Sequence, residues 1–222
     1  MQSGSRPLTV ADRTRDPALL IVDMQNDFVR VGAPLEVPAA RDTIAAHRRL
    51  IAAFRAAHRP VIYTKFISRT EETLLWNWSP QCRPPVKTCW KDHQRRYGDT
   101  DRLLECTEII DELRPAAGDL VIEKYGYGAF HDTGLAGQLG ALGIRSLVVT
   151  GTVTQICVEE TAREAFHHGF PTTLVADAVS SFDADLHAAT LRNFAMKFGW
   201  VEDCDAVVKQ LAALGHQEVA RA

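Results

Sequence analysis

Residues 18–23 read ALLIVD, five apolar residues in a row closed by a carboxylate. A run with no polar alternation has no solvent face, which suits a parallel strand covered by helices on both sides. Working outward, the same texture returns at residues 60–66 (PVIYTKF), 119–124 (DLVIEK), 146–150 (SLVVT) and 172–176 (TTLVA), with a short sixth run at 199–202. Helical stretches separate these runs. In residues 41–58, Ile44, Leu50, Ile51, Phe54 and Ala57 fall within one arc of the helical wheel. Residues 106–113, stopped by Pro115, and 134–142, 157–168, 183–197 and 206–214 complete the helical set. Strands alternating with helices predict βαβ units. The expected α/β fold is a three-layer α/β/α sandwich with a six-stranded, mostly parallel sheet.

The 222 residues suit one domain, here 17–222, after an N-terminal arm (1–16) that mixes charges of both signs and lacks the apolar segment of a secretion signal. Residues 67–106 carry Trp76, Trp78, Trp90 and the Pro84-Pro85 pair without periodicity. Such a stretch is too long for a plain connection, and reads as an insertion that covers substrate or makes a subunit contact. The formal charge of −3 supplies no cationic footprint for nucleic acid. No 18-residue apolar run is present to span a membrane. The five cysteines are odd in number and form no CxxC pair, which argues against a disulfide framework or a zinc site and for a reducing, cytoplasmic setting.

Open parallel sheets bind ligands beyond the carboxyl ends of their strands, so the residues that end the strands carry the chemistry. Asp23 closes the first run, Lys124 the third, and Cys157 lies seven residues beyond Thr150 of the fourth. An acid, an ammonium and a thiol on one sheet edge are the parts of a thiol hydrolase. A free thiol has a pKa near about 8.5 and is only slightly ionised at neutral pH. An ammonium at about 4 Å, worth roughly 4 kcal/mol at an effective dielectric of about 20, lowers that pKa by up to about three units before desolvation offsets it. Asp23 would take the thiol proton and return it to the leaving amine, while Lys124 would keep Asp23 ionised and steady the thiolate. Taken singly, each residue also has an ordinary reading: a turn cap, a surface charge, a small buried side chain. Adjacent His167 and His168 diverge by about 100° on a helix and do not make a ligand pair.

The runs ALLIVDMQNDF (residues 18–28), VIEKYGYGAFHDTGL (121–135) and VTGTVTQICVEETAREAFHHGF (149–170), followed by VADAVSSFD (175–183), resemble the isochorismatase-like cysteine hydrolase superfamily. The resemblance extends in order over residues 17–204. It implies Asp23 as acid-base carboxylate, Lys124 as the lysine and Cys157 as nucleophile. It also implies a non-proline cis peptide at Thr152–Val153, with the backbone N–H groups of Val153 and Cys157 forming an oxyanion hole. Phe28 and Phe130 match positions that wall the substrate pocket. Tyr127 is expected there too, and Trp76 and Trp78 either close over the substrate or meet a subunit. Relatives with nicotinamidase activity carry an Asp-x-His pair and a further His after the second strand to hold a metal. Residues 63–78 (YTKFISRTEETLLWNW) contain no histidine, so no metal and no cofactor is expected. Relatives that cleave a vinyl ether do so without the cysteine, so Cys157 favours attack on a carbonyl. A vinyl-ether hydrolase and a silent binding homologue are the alternatives. The stretch FGWVEDC (198–204) resembles ureidoacrylate amidohydrolases. The expected substrate is a small linear amide or ureide, with Arg69, Arg83, Arg95 and Arg96 of the insertion suited to a flat ureide or carboxylate. By analogy with the family, a homodimer or homotetramer is expected.

Overall fold

The computed structural model describes residues 8–219, the last five by backbone alone. It opens on a helical turn, α1 (Val10–Arg13), which Thr9 caps: its hydroxyl accepts from Asp12 N while the Asp12 carboxylate accepts from Thr9 N. Arg13 then pairs with Glu202 and lies over the Trp200 ring. Within the arm expected to be loose, α1 buries no residue and Arg13 ties its end to the strand Trp200–Glu202, while residues 1–7 lie outside the described ones. The chain continues through β1 (Pro17–Val22), α2 (Asn26–Val29), a 3-10 segment (Pro38–Thr43), α3 (Ile44–Ala56) and β2 (Val61–Phe66). There follow a hairpin, β3 (Gln94–Tyr97) and β4 (Thr100–Glu105), and then β5 (Leu120–Lys124) and α4 (Leu135–Ala141). The last part comprises β6 (Ser146–Thr152), α5 (Glu159–His167), β7 (Thr172–Ser180), α6 (Ala184–Lys197), β8 (Trp200–Glu202) and α7 (Cys204–Val219).

Six strands form one parallel sheet in the order β5-β2-β1-β6-β7-β8. Every residue of central β1 is buried, because successive side chains enter opposite layers. Leu19 and Ile21 join Leu50 and Phe54 of α3 and Val207 and Leu211 of α7 on one face. Leu20 and Val22 join Leu135 and Leu139 of α4, Ala162 of α5 and Phe194 of α6 on the other. This is why the strand has no polar alternation. The chain winds from β1 outward through β2 to β5, then returns to β6 on the other side of β1 and winds to β8. The reversal between β1 and β6 opens a cleft at their carboxyl ends.

Gly151 locks that seam. It sits beside Val22 in the β1–β6 register at φ +112°, and a Cβ there would lie 2.0 Å from the Val22 carbonyl oxygen. Backbone cannot retreat as a flexible side chain can. Gly151→Ala is expected to destabilise the fold by about 3–5 kcal/mol, combining overpacking with an unfavourable positive φ, as read from a urea melt.

Three local expectations fail. Residues 106–113 form no helix, only a 3-10 turn at Asp111–Leu113. Their backbone groups are used elsewhere: Cys106 N donates to His93 O, its carbonyl accepts from Asp27 N, Glu108 O accepts from Asn26 N, and Ile110 N donates to Met24 O. The helix expected to begin at Cys157 begins at Glu159, and Thr154–Val158 is a π-helical turn closed by Val158 N donating to Val153 O at 3.2 Å. The irregular insertion contains the antiparallel β3–β4 hairpin, paired from Gln94↔Glu105 inward.

Candidate active site

Asp23 is the first residue beyond β1 and adopts φ +51°, a left-handed conformation that aspartate tolerates better than most residues. This bend carries its carboxylate over the end of β2. There Thr64 donates from Oγ1 to Asp23 Oδ1 at 2.6 Å and accepts from Asp23 N at 3.2 Å. Lys124 ends β5, in register with Phe66. Its Nζ stands 2.7 Å from Asp23 Oδ2 and also donates to Gly126 O (3.1 Å) and Tyr127 O (2.9 Å). Two carbonyls thus accept from the ammonium while the carboxylate lies at ion-pair distance, which orients the head group toward Asp23. Both side chains of the pair are fully buried. Cys157 stands on the π-helical turn, and both Asp23 and Lys124 act electrostatically on its buried thiol. The peptide Thr152–Val153 is cis. The sheet therefore brings together the three residues that the sequence singles out.

Residues without a sequence signal hold this arrangement. Buried Gln25 donates to Phe66 O and Thr107 O and accepts from Phe66 N at 2.7 Å, tying the end of β2 to the turn after β4. Glu164 of α5 accepts from Phe130 N at 2.8 Å, and Thr161 accepts from Ala129 N at 3.1 Å. These bonds anchor the loop whose carbonyls receive the lysine. Asp27, also buried, accepts from Cys89 N, Arg95 and Tyr97 and so pins the insertion to α2.

The electrostatics differ from the simple expectation of a thiol acidified by its lysine. Burial pushes the Cys157 thiol up to about 12; Lys124 pulls it down and Asp23 pushes it up again. Lys124 loses proton affinity by burial, but Asp23 and Cys157 more than restore it and its pKa is raised. The cause is geometric. With a carboxylate 2.7 Å from the ammonium, the sulfur faces a nearly neutral pair instead of an isolated cation. A proton lost to solvent would leave net negative charge in a dry site. A proton passed from Sγ to Asp23 leaves the net charge of the three groups unchanged, so the burial penalty falls far less on that transfer.

Above the thiol lies a cavity of about 440 Å³. Phe28, Phe66, Trp78, Tyr127 and Phe182 form its aromatic walls, and Val153 and Cys157 line it from the turn. Of the substrate-contacting residues expected from the sequence, Phe28, Tyr127 and the largely exposed Trp78 line the cavity. Trp76 and Phe130 do not. Trp76 is 6% exposed, stacks on Trp90 and donates to Ser68 Oγ at 3.3 Å, so it belongs to the core of the insertion. Phe130 is buried in the layer beneath, stacked on His168 at 4.8 Å. The four arginines proposed for substrate are also engaged elsewhere. Arg95 pairs with Asp27, Arg83 with Glu72, and Arg96 donates to Asp101 O, while Arg69 lies over the Tyr125 ring. None lines the cavity. Phe66 and Phe182 could have been found, since both stand at or just past the carboxyl end of a strand. Pro34–Glu36 and Gln81, in irregular segments, carry no such signal.

A divalent metal does not fit this site. Among the described residues no group of three or more His, Cys, Asp or Glu side chains is placed to hold one. The residues after β2, Ile67, Ser68 and Arg69, offer no imidazole or carboxylate.

Comparison with known proteins bears on this geometry. Residues 17–206 match the isochorismatase domain model. The chain is similar to Nicotinamidase 3 of Arabidopsis thaliana, with 35% identity covering 90% of this chain and 93% of the relative. It is also similar to the ureidoacrylate amidohydrolase RutB of Stutzerimonas stutzeri strain A1501, with 32% identity over 99% and 92%. Among solved structures, a cysteine hydrolase from Pseudomonas syringae pv. phaseolicola 1448A superimposes with a TM-score of 0.80 at 25% identity, covering 94% of this chain and 96% of that one.

Proposed function

Given that this chain belongs to the isochorismatase domain family, and that its relatives are amidohydrolases and a cysteine hydrolase, we propose that it hydrolyses the C–N bond of a small amide or ureide through a thioester on Cys157. The observation that carries this reading is a thiol that lines an aromatic cavity and feels the charges of the buried Asp23–Lys124 pair. Cys157 Sγ attacks the scissile carbonyl carbon as its proton passes to Asp23, and the carbonyl π-electrons move to oxygen. The backbone N–H groups of Val153 and Cys157 receive that oxyanion. Lys124 keeps its charge throughout and supports first the carboxylate and then the forming thiolate. The tetrahedral species collapses, the C–N bond breaks, and Asp23 returns its proton to the departing nitrogen. Asp23 then deprotonates a water that attacks the thioester. Expulsion of the Cys157 thiolate, which retrieves that proton, yields the carboxylic or carbamic acid and restores the resting charge pattern.

A screen of small amides and ureides for ammonia release tests this reading. At least one member is expected to be hydrolysed, with the activity lost in Cys157→Ala. Silence across the panel, or activity that survives the substitution, overturns it. Since no donor set for a metal adjoins the thiol, prolonged dialysis against a strong chelator is expected to leave the rate of the active member unchanged. A loss reversed by zinc, iron or manganese would contradict that expectation.

A further inference from the structure

The cavity above Cys157 grades from a closed floor to an open mouth. Cys157, Val153, Phe28 and Phe66 are buried, whereas Trp78 is 78% and Phe182 60% exposed, although both line the same space. The two exposed aromatics come from separate elements. Trp78 follows the 3-10 segment Leu74–Asn77 of the insertion, and Phe182 stands between β7 and α6. A single exposed apolar side chain is ordinary on a protein surface. Two large aromatics that share a cavity ending on a cysteine thiol mark apolar surface that a ligand would cover. Charge does not compete there. None of the lining residues is a lysine or arginine, and the carboxylate of Glu36 already accepts from Gly32 N and pairs with Arg41, both at 2.8 Å. At about 440 Å³ the space lies within the range of pockets that bury drug-sized molecules, about 300–1,000 Å³, and would stay mostly empty around acetamide.

The placement of the ion pair decides which end of an amide enters that space. Asp23 and Lys124 are fully buried and neither lines the cavity. In the reaction proposed above the departing nitrogen collects its proton from Asp23, so the nitrogen side of the amide faces the closed interior and the acyl side faces the open cavity. We propose that this site takes carboxamides whose acyl group is an uncharged apolar body, long enough to reach from Cys157 to Trp78 and Phe182 at the mouth. The inference rests on the amide-hydrolase reading and names the substrate class for that same site. Each methylene moved from water onto this wall is worth about two- to fourfold in affinity.

The test uses straight-chain primary amides from acetamide to octanamide, with N-butylacetamide as the isomer of hexanamide that carries its chain on nitrogen. Steady-state kcat/KM is measured for the parent protein and its Trp78→Ala and Phe182→Ala variants, and Kd for the same amides on Cys157→Ala by calorimetry. In the parent, kcat/KM is expected to rise about two- to fourfold per methylene as far as hexanamide. Hexanamide is expected to exceed N-butylacetamide by at least about tenfold. Each aromatic-to-alanine change is expected to shrink the octanamide-to-acetamide ratio at least about fivefold, through KM more than kcat. A flat chain-length series, equal or better use of N-butylacetamide, or ratios unmoved in both variants would each overturn the proposal. So would failure of the whole series while the wider screen yields another amide substrate. If no amide of any kind is hydrolysed, the hydrolase reading falls, and Kd values that do not tighten with chain length then overturn the apolar site as well.

Discussion

Replacing Cys157 by Ala or Ser is expected to lower kcat by about 10⁴-fold or more, because no other group in the cavity can form the covalent intermediate. The wall around it is aromatic or aliphatic except for Glu36, Ser79 and Gln81, none of which hydrogen-bonds to Asp23 or Lys124. The fold should tolerate the change. Cys157 is small, is 5% exposed and begins no helix, and an Oγ in place of Sγ still finds the Asp23 and Lys124 polar atoms. A melting temperature within a few degrees of the parent, beside lost turnover, is the expected pair of readings. Turnover within tenfold of the parent protein would mean that the thiol is a spectator.

Asp23→Asn and Lys124→Met are expected to lower kcat by comparable orders of magnitude while shifting the thiol in opposite directions. Asp23 raises the Cys157 pKa and Lys124 lowers it. Removing the carboxylate leaves the ammonium facing the sulfur alone, so the midpoint of iodoacetamide alkylation against pH moves down and the thiol becomes more reactive. Removing the ammonium takes away the larger opposing influence, and the midpoint moves further up. The asparagine variant thus combines a more reactive thiol with a slower enzyme, a pairing that follows only if Asp23 transfers the proton. Lys124→Met also strands a fully buried carboxylate, which costs about 3–5 kcal/mol of stability unless Asp23 takes up a proton. Alkylation profiles that move together in the two variants would contradict the assigned roles.

The sheet was legible in the sequence because burial on both faces leaves an unmistakable texture. All six runs became strands, and each of the three chemical residues stood at or just beyond a strand's carboxyl end. What could not be read depended on partners far away in sequence. The β3–β4 hairpin, QRRY and TDRLLE, buries only Tyr97 and Leu104, so it lacks the apolar signal of a core strand. Residues 106–113 have helical composition, but their backbone groups pair with the segments around Met24 and His93. The cavity wall shows the same limit. Tryptophans two residues apart in the insertion face different surroundings, Trp76 the core and Trp78 the cavity. Four arginines expected to meet substrate are drawn off by acids, carbonyls and a ring that only the fold brings near. The depth of the site mattered as well. Proximity of Lys124 to the thiol was foreseeable, but the dominance of burial over that cation depends on the enclosure of all three groups.

The thioester is the central claim, and rapid acid quench of the parent protein under saturating amide, followed by intact mass and peptide mapping, tests it most directly. The account predicts a mass gain equal to the acyl portion of the substrate, confined to the peptide containing Cys157 and absent from Cys157→Ala. Product formation at full rate with Cys157 unmodified at every quench time, and with Cys157→Ala still turning over, would contradict it.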